Sequence, residues 1–548
     1  MLLIGQYFES RLEEKDPITL LAAFIIIVLN VFGGLLREWA STALKLQMEL
    51  LALSFGGQRG VISANNQELL NSFPRDIRTA RKIFDLEAKT KTYAACPGCS
   101  ALYPVEEAKQ LPAHCNRRRY PKAKPCGTRL TKLVVQHSNG EHKMMRAPIQ
   151  PFLIQDFDAF KASFLSRPGM EAILDRGTLF NDMNDMWDIK DGVGVKEMLG
   201  PDGEPFVDGL KRKELRLLWS LSVDWFNPRG NKAAGKSVST GSVVMACLNL
   251  PPSLRYKAEN LFLAAVMPKE PSVEEVGNYM EPLVEMLDKS WRNGTKFAQT
   301  ESSEHGRTER SMLAVLVNDL PAGRKINGVA SHSAKEFLCL FCGLRRTDIN
   351  NLNRATWPKR SRDVIKKAAE DWRDAESAGK RKSLFKKNGV RWTPLWKLDY
   401  YDPTRMAAID VMHNLFLGLV QFHVREVLGV EDPQTEEDRP VTIKELEKAR
   451  KGVTMLNLKA LNRSRVSVLK VLGTENGIDI SAARKLKKKH LIQLLTVSAL
   501  NALQAKSLTS IGKGALTASS FRRAYGISRP QGRGFNWRRI LREFGRRT

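Results

Sequence analysis

Residues 217–224 read LLWSLSVD, and residues 312–319 read MLAVLVND. In the first stretch apolar and polar side chains alternate, which is typical of a strand buried on one face. The second stretch is an unbroken apolar run, which is typical of a strand covered on both faces. Each stretch ends in an aspartate, Asp224 or Asp319. The sequence therefore predicts two core strands that each end in a carboxylate.

The elements between these strands indicate how they are arranged. Residues 243–250 (VVMACLNL) and 261–267 (LFLAAVM) predict two more strands, and a helix is predicted from Ser272, where Ser272 and Glu275 match a capping box. The order strand, strand, strand, helix, strand is that of the first half of an RNase H-like fold, in which the first and fourth strands lie side by side. The two aspartates are therefore expected to be neighbours. The predicted apolar face of the helix is Val276, Met280, Leu283, Val284 and Leu287.

The paired aspartates suit phosphodiester chemistry. Such reactions use two divalent ions that hold the attacking and leaving oxygens, and Mg²⁺ or Mn²⁺ prefers carboxylate ligands. We therefore predict Asp224 and Asp319 as metal ligands and as catalytic residues. The alternative is that each aspartate only begins a turn, because each precedes a loop that contains proline.

A glycine-rich stretch follows the first of these strands. Residues 230–237 (GNKAAGKS) match the pattern of a phosphate-binding loop, which needs a helix to begin at its Lys-Ser pair. The continuation VSTGSVVMACLNL is rich in β-branched residues and predicts a strand instead. We therefore interpret the stretch as a basic hairpin turn beside the acids, in which Arg229, Lys232 and Lys236 contact DNA phosphates.

Four cysteines predict a zinc site. They are Cys96, Cys99, Cys115 and Cys126. Their spacing, C-x2-C-x15-C-x10-C, suits tetrahedral coordination by thiolates, and His114 is an alternative ligand to Cys115. The loop between the last two cysteines contains Arg117, Arg118 and Arg119. Zinc would then hold a basic loop that contacts DNA; the alternatives are a purely structural zinc knuckle or free thiols.

A second cysteine pair lies a short distance after Asp319. Cys339 and Cys342 lack another CxxC pair, and His413 is the best remote metal-ligand partner, with His332 and His423 as rivals. The alternative is a pair of buried apolar cysteines on a helix, because the surrounding FLCLFCGL is almost entirely apolar.

The charge of the chain predicts a polyanionic partner. The 548 residues include 87 Lys and Arg against 59 Asp and Glu, a net charge of +28, which favours nucleic acid or an anionic membrane surface. Residues 18–36 are uncharged and long enough to cross a bilayer. We nevertheless expect a buried helical hairpin rather than a single membrane span, because the next segment has helical periodicity. Its predicted buried face is Trp39, Ala43, Leu46, Leu50 and Leu53.

The C-terminal part contains further basic segments. Residues 466–495 predict a helix–loop–helix unit that loosely resembles the SAP type, with Lys487, Lys488 and Lys489 as DNA contacts. A solvated surface helix or a nuclear-import signal is the alternative. The final residues, 521–548, are rich in arginine and aromatic side chains, which suits binding to phosphates and bases without sequence reading.

Several long motifs resemble one family. CPGCSALYP, SVDWFNPRGNKAAGKSVSTG, VNDLPAGRKINGVASHSAKEFLCLFC and YYDPTRMAAIDVMHNLFLGL are similar to segments of CACTA-type (En/Spm-class) DNA transposases, in particular their fungal branch. The resemblance implies a DD[E/D] nuclease on an RNase H-like core that is interrupted by a helical insertion. It matches Asp224 to the first catalytic acid and Asp319 to the second. Cys339 and Cys342 match the family's CxxC, and His413 lies in its DxxH-like element.

The resemblance also implies a third catalytic acid after the helical insertion. In this chain we find no motif that matches the segment of that acid. Glu426 lies near the right stretch, but nothing singles it out. We therefore expect a C-terminally truncated, transposase-like protein that performs metal-dependent cleavage and strand transfer at transposon ends. The first alternative is a catalytically inactive, zinc-containing DNA-binding protein, and the second is a basic protein anchored in a membrane by residues 18–36. If the chain is a transposase-like protein, we expect a nuclear location, self-association and no small-molecule substrate.

The predicted fold class is α+β and multidomain, with a partial RNase H-like α/β nuclease core. The predicted organisation is a helical N-terminal region (1–92), a zinc-knuckle segment (93–130), a mixed connector (131–205), the first half of the RNase H-like core (206–330), a helical insertion with the CxxC and DxxH elements (331–430), a linker (431–460), a SAP-like helix–loop–helix (461–500) and a basic tail (501–548).

Overall fold

The computed structural model of the protein describes Leu12 and residues 15–56, 60–106, 111–138, 141–179, 186–207, 213–227, 239–430, 440–478 and 488–510. Within these ranges the side chains of residues 136–138, 141–143 and 502–510 are not described. The predicted contacts Arg229, Lys232, Lys236 and Lys487 and the arginine-rich tail lie outside the described residues. The chain divides into two units, Met1–Val420 and Gln421–Thr548.

The centre of the first unit is a mixed β-sheet. Its strands pair in the order β11-β10-β6-β7-β8-β5-β1-β2, β9 pairs with β10, and β3 and β4 form a separate hairpin. The strands are β1 (Thr90–Ala95), β2 (Leu102–Pro104), β3 (Thr131–Ser138), β4 (Glu141–Pro148), β5 (Pro151–Gln155), β6 (Leu215–Phe226), β7 (Thr240–Cys247), β8 (Leu261–Met267), β9 (Thr295–Lys296), β10 (Thr308–Asn318) and β11 (Ala407–Ile409).

Helices occur in both units, and the first four of them form a separate hydrophobic core. They are α1 (Pro17–Val31), α2 (Arg37–Gly56), α3 (Ala64–Ser72), α4 (Ile77–Ile83), α5 (Phe157–Leu165), α6 (Met170–Arg176), α7 (Val193–Lys196), α8 (Pro252–Arg255), α9 (Val276–Asn293), α10 (Leu320–Ile326), α11 (Arg362–Asp374), α12 (Ala378–Asn388), α13 (Pro403–Met406), α14 (Ile443–Thr454), α15 (Leu458–Arg463), α16 (Val466–Glu475) and α17 (Lys488–Ser510). Met412–Val420 and His423–Val427 are π-helical.

Strands β6 and β10 are neighbours, as their sequences predict. They run parallel, and β11 runs parallel to β10 on its other side. Strands β6, β7 and β8 are successive antiparallel neighbours. The carboxyl ends of β6, β10 and β11 therefore meet at one edge of the sheet, which we call the acid edge because Asp224 and Asp319 lie there.

Helix α9 packs on this sheet through the apolar face that its sequence predicts. Those five residues are all buried: Val276, Met280, Leu283, Val284 and Leu287. The predicted start of the helix is wrong by one turn. Ser272 and Glu275 do not form a capping box, and Glu275 is the N-cap without a side-chain cap bond. Its carboxylate instead accepts a hydrogen bond from Arg119 at 3.1 Å.

The predicted zinc-knuckle segment and connector are part of the same sheet rather than separate from it. Strand β1 pairs with β5, and β5 reaches β8 where Ile154 lies opposite Ala265. Phe152 and Ile154 of β5 are buried in the same core as Trp219 of β6. Local periodicity could not predict this pairing, because it depends on contacts between segments far apart in sequence.

The N-terminal region forms the predicted helical hairpin, but its buried face is different. Helix α1 ends before Gly34, whose φ of +67° suits glycine, and α2 packs back on it. The buried side chains of α2 are Ala40, Leu44 and Leu51, whereas Trp39, Leu46, Leu50 and Leu53 are exposed. The small Ala40 thus lies on the buried face of α2, and the wider side chains predicted to be buried face outward. No described helix combines the length and apolar character needed to cross a membrane.

The region predicted as a helical insertion also contains a strand. Helices α11 and α12 lie within residues 331–430, but Ala407–Ile409 joins the sheet as β11. The CxxC pair does not lie on a helix, and Leu340, Cys342 and Leu344 are buried there.

The second unit contains a small helical core. Buried residues of α14, α15, α16 and α17 form it, including Ala449, Leu461, Leu469 and Leu495. The predicted linker is wrong from residue 443, because Thr442 and Glu445 form a capping box that begins α14. The predicted helix–loop–helix corresponds to α16 and α17, and the loop between them includes residues outside the described ranges.

Candidate functional site

Four cysteines form a compact cluster beside β1 and β2. The sulfurs of Cys96, Cys99, Cys115 and Cys126 all lie within 4.8 Å of one another. The Sγ–Sγ distances are 3.8 Å between Cys96 and Cys126 and 3.5 Å between Cys99 and Cys115. A tetrahedral zinc ion with Zn–S bonds of about 2.3 Å separates its sulfurs by about 3.8 Å. The four side chains therefore fit a metal such as zinc.

A tight turn and a wider hairpin turn create this cysteine centre. The first joins β1 to β2, and in it the Ser100 N–H donates to the Cys96 carbonyl at 2.9 Å. The second carries Cys115 and Cys126, and there the Gly127 N–H donates to the Cys115 carbonyl at 2.9 Å. Gly98 is required between the turns, because a Cβ at this position would lie 2.3 Å from Thr128 Oγ1.

The protonation of the thiols differs across the cysteine centre. Burial raises the pKa of Cys96 and of Cys99. Burial also opposes ionisation of Cys126, but hydrogen bonds from the side chain and backbone of Thr128 lower the pKa of Cys126 to about 7. Metal ligation requires the thiolate form, so a bound cation would reverse the upward shifts. His114 is not part of the cluster, and the alternative in which it replaces Cys115 is not supported.

The predicted acids lie on adjacent strands at the acid edge. Strands β6 and β10 pair with Leu221 opposite Leu316, and beyond this pair the Asn318 side chain accepts the Val223 N–H at 2.7 Å. Asp224 is the next residue of β6, and Asp319 is the next residue after β10. The two carboxylates therefore occupy equivalent positions on neighbouring parallel strands.

Each acid also makes the local contact of a turn or cap. Asp224 Oδ1 accepts the N–H of Trp225 at 2.8 Å. Asp319 is the N-cap of α10, and its Oδ1 accepts the Ala322 N–H at 2.6 Å. The turn-forming interpretation of Asp319 is thus correct as far as it goes, and its second carboxylate oxygen remains for another ligand.

Asp410 is a third carboxylate at this edge that sequence reasoning did not select. Strand β11 pairs with β10 through Ile409 and Asn318, and the Asp410 N–H donates to the Asn318 carbonyl at 2.9 Å. Asp410 thus follows β11 as Asp319 follows β10. The signal was present as a short apolar run, MAAI, before the aspartate, but a strand of three residues is too short for periodicity to detect.

His413 belongs to the acid edge rather than to the second cysteine pair. Its Nδ1 contacts the Asp410 carboxylate. This hydrogen bond raises the pKa of His413, and the charges of Asp224 and Asp319 raise it further. Among the described residues, the structure does not bring His413 into a compact ligand group with Cys339 and Cys342.

In the part of the chain that the structure describes, no third ligand atom lies in a compact group with Cys339 and Cys342. Among the described residues, the four-cysteine cluster is the only group of three or more His, Cys, Asp or Glu side chains whose ligand atoms all lie within 4.8 Å. Neither His332 nor His423 joins the pair in such a group within the described ranges. The same criterion means that Asp224, Asp319 and Asp410 do not form a compact three-carboxylate cluster, and Glu426 lies exposed in a π-helical segment.

The predicted basic contacts that the structure describes lie on two surfaces. Arg117, Arg118 and Arg119 are exposed on the loop of the cysteine centre. Lys488 and Lys489 lie in the first turn of α17 in the second unit, half-buried and exposed respectively.

With this geometry in view, the comparison with known families is informative. Residues 208–363 match the sequence model of the family described as Transposase family tnp2. The match covers less than half of the chain, and it includes Asp224, Asp319 and the Cys339–Cys342 pair. This region is thus similar to a transposase family, and the similarity implies a DNA-acting protein. No curated protein matches the chain.

Proposed function

We propose that this chain is a DNA transposase-like protein of the CACTA type, fungal branch, built on an RNase H-like core. The observation that carries the proposal is the acid edge. Three parallel strands, β6, β10 and β11, each lead to an aspartate there, and the antiparallel strands β7 and β8 follow β6 in the order that an RNase H-like sheet has. The similarity of residues 208–363 to a transposase family supports it independently.

In this proposal Asp224 and Asp319 hold Mg²⁺ or Mn²⁺ at the acid edge. A divalent ion there supplies Lewis-acid activation of water and of the scissile phosphate. Asp319 has one oxygen committed to the cap of α10, which fixes its orientation, while Asp224 is exposed and reaches solvent. Asp410 holds the His413 ring at the acid edge, and its hydrogen bond raises the pKa of His413.

The cysteine centre has a separate role in the proposal. Zinc held by the four cysteines fixes the loop of Arg117, Arg118 and Arg119 against the core. The basic loop and the net charge of +28 support DNA as the partner, a nuclear location and binding that depends on salt. Self-association of the chain on DNA remains part of the proposal.

A second candidate function is a catalytically inactive DNA-binding protein. It is favoured by the absence, among the residues that the structure describes, of a third carboxylate close enough to complete a compact site. Removing one member of a catalytic group that acts as a unit usually removes most of its activity. In this candidate the cysteine centre and the basic loop still bind DNA, but the acid edge does not catalyse cleavage.

Nicking of DNA distinguishes the two candidates. The zinc-loaded chain is incubated with Mn²⁺ and DNA that carries a transposon terminal repeat, and nicked products are measured. We expect nicking by the wild type and a loss of at least about 100-fold in Asp319→Asn, since a metal ligand is removed. Asp363→Asn, an exposed acid on α11, is the matched control. Equal nicking by both variants would contradict the assignment, and DNA binding without nicking by the wild type would select the inactive candidate.

A further inference from the structure

A cleft separates the cysteine centre from helices α11 and α12. Its volume is about 360 Å³. Arg117 and Lys124 line it from the loop of the cysteine centre, and Trp372, Arg381 and Trp392 line it from the opposite wall. The first turn of α9 also lines the cleft. We call it the knuckle–insertion cleft.

Hydrogen bonds hold the two walls in a fixed relation. The guanidinium of Arg381 donates through Nη1 to the carbonyl of Arg119 at 2.6 Å and through Nη2 to the carbonyl of Arg373 at 2.7 Å. Lys122 pairs with Glu376 at 2.5 Å across the same boundary. The cleft is therefore a built feature rather than an accidental gap between surface loops.

The charges that line the cleft do not balance. Some of them are neutralised in pairs: Arg119 with Glu275, Arg373 with Asp374, and Lys397 with Glu281. Within the described parts of the chain, Arg117, Lys124 and Arg381 have no ion-pair partner, and Glu274 is the one lining acid left to face them. The cleft consequently has a surplus of positive charge.

One N–H group of Arg381, which lies among these positive charges, has no hydrogen-bond acceptor among the described residues. The Nε of Arg381 is buried and makes no hydrogen bond to any described residue. Burial lowers the pKa of Arg381, the charge of Glu274 opposes this shift, and the positive charges of Arg117 and Arg119 add to it. Like charges held together in a partly buried site are unfavourable unless an anion joins them.

We propose that the knuckle–insertion cleft binds the phosphodiester backbone of DNA, with Arg117, Lys124 and Arg381 as its phosphate contacts. The inference rests on the proposed function, because DNA is the polyanion that a transposase-like protein binds. It goes further by joining the zinc-held loop and the insertion into one binding site.

The aromatic residues of the cleft favour a phosphate over a nucleobase. The guanidinium of Arg381 lies 4.3 Å from the ring centre of Trp372, and that of Arg373 lies 4.3 Å from the ring centre of Trp392. One face of each indole is thus already covered by an arginine, which leaves less ring surface for a base to stack on. Because the Nη groups of Arg381 already donate to two carbonyls, Arg381 acts on a phosphate mainly through its positive charge, while the exposed Arg117 and Lys124 can donate hydrogen bonds to its oxygens.

The position of the cleft suits a duplex that also reaches the acid edge. Strand β8 ends at Met267 beside Gly241 of β7, and Gly241 pairs with Trp225, the residue after Asp224. The chain then runs from β8 into the first turn of α9, which lines the cleft. Lys325 of α10 pairs with Glu270 on the way, at 2.6 Å. The cleft and the acids therefore lie toward the same edge of the sheet.

Salt-dependent binding tests this inference. The full-length, zinc-loaded chain is titrated with a fluorescent DNA duplex at several salt concentrations and without Mn²⁺, so that binding is read without cleavage. The double variant Arg117→Ala/Lys124→Ala removes two exposed cations. We expect its affinity to fall roughly tenfold or more and the slope of log affinity against log salt to fall by about 2, since each phosphate contact contributes about 0.9.

The control removes the same charge elsewhere. Lys382→Ala/Lys387→Ala takes two exposed lysines from α12 that do not line the cleft, and we expect less than about a twofold change in affinity. Equal losses in the two double variants would overturn the inference, as would an unchanged slope in the cleft variant. Inorganic phosphate at matched ionic strength is the second arm. If it displaces the duplex from the wild type, the cleft is a site for free phosphate and the inference fails.

The result is separable from the proposed function. If the wild type binds DNA but does not nick it, and the salt slope is reduced in the cleft variant, the cleft inference holds and the catalytic proposal fails. If nicking depends on Asp319 but the cleft variant binds DNA as the wild type does, the catalytic proposal holds and the cleft inference fails.

Discussion

The cysteine centre and the acid edge are built in opposite ways. The four cysteines lie in a tight turn and a hairpin turn, and their sulfurs all lie within 4.8 Å of one another. The acids come from three strands that are distant in sequence, and their ligand atoms do not meet that criterion together. A site made from turns has its geometry fixed by local backbone bonds, whereas a site made from strand ends depends on the whole sheet. The first should therefore respond sharply to changes of single residues, and the second more gradually.

The largest effect is expected from removing a cysteine ligand. Cys115→Ser replaces a buried thiol of the cluster, and we expect loss of about one zinc per chain and loss of the folded cysteine turns. The reason is that metal affinity in such sites is folding free energy, on the order of 10 kcal/mol. Zinc content by elemental analysis and near-UV circular dichroism measure the effect.

Cys247→Ser is the control for this prediction. Cys247 is also a buried free thiol, but it lies in β7 outside the cluster. It should retain zinc even if it lowers stability. Full zinc content in Cys115→Ser would show that the cluster does not bind the metal.

A smaller but still sharp effect is expected at Gly98. A Cβ there would lie 2.3 Å from Thr128 Oγ1 and 3.4 Å from Cys126 Sγ, so that Gly98→Ala should displace the second turn. Overpacking of this kind costs about 1–3 kcal/mol, which corresponds to roughly 5- to 150-fold weaker zinc binding in a chelator competition. Gly194→Ala is the control, because nothing lies within 4 Å of its added Cβ. Equal zinc affinities in the two variants would mean that the turns are less rigid than their hydrogen bonds indicate.

This contrast also explains how much the sequence could predict. The cysteine spacing predicted the cluster, because both turns are local. The strands of Asp224 and Asp319 and their adjacency were predicted from element order. Asp410 was missed, because β11 has three residues and its place depends on pairing with β10. The predicted buried face of α2 was wrong: Ala40 is buried and Trp39 is exposed, because the packing partner of an amphipathic helix is not given by its own periodicity.

At the acid edge, the next effect in size is expected from Asn318. Backbone pairing between β6 and β10 ends at Leu221 and Leu316, and the Asn318 side chain then accepts the Val223 N–H. Asn318→Ala leaves that N–H without this acceptor, which costs about 1–3 kcal/mol in a buried position. The free energy of unfolding in denaturant measures it.

Asn65→Ala, an exposed asparagine on α3, should change that free energy by less than about 0.5 kcal/mol. If Asn318→Ala is equally mild, the two strands are held at the acid edge by other contacts. Nicking should fall in Asn318→Ala as well, because the spacing of Asp224 and Asp319 depends on this bond.

The smallest effect is expected from the contact between Asp410 and His413. The hydrogen bond with Asp410 and the charges of Asp224 and Asp319 raise the pKa of His413, so that Asp410→Asn should lower it. Because the folded-state pKa is raised, the contact stabilises the fold at low pH, where His413 is protonated. That stabilisation is lost as pH rises through the folded pKa. Both groups are partly exposed, so the effect on melting temperature should be slight, and histidine C–H signals in NMR titrations measure the pKa directly. Two variants serve as controls for this titration. His413→Gln identifies the NMR signal of His413, and Asp363→Asn on α11 should leave the pKa of His413 unchanged. If the pKa stays raised in Asp410→Asn, Asp224 and Asp319 are the main cause, and the acid edge is then a tighter cluster of charge than its strand-end construction suggests.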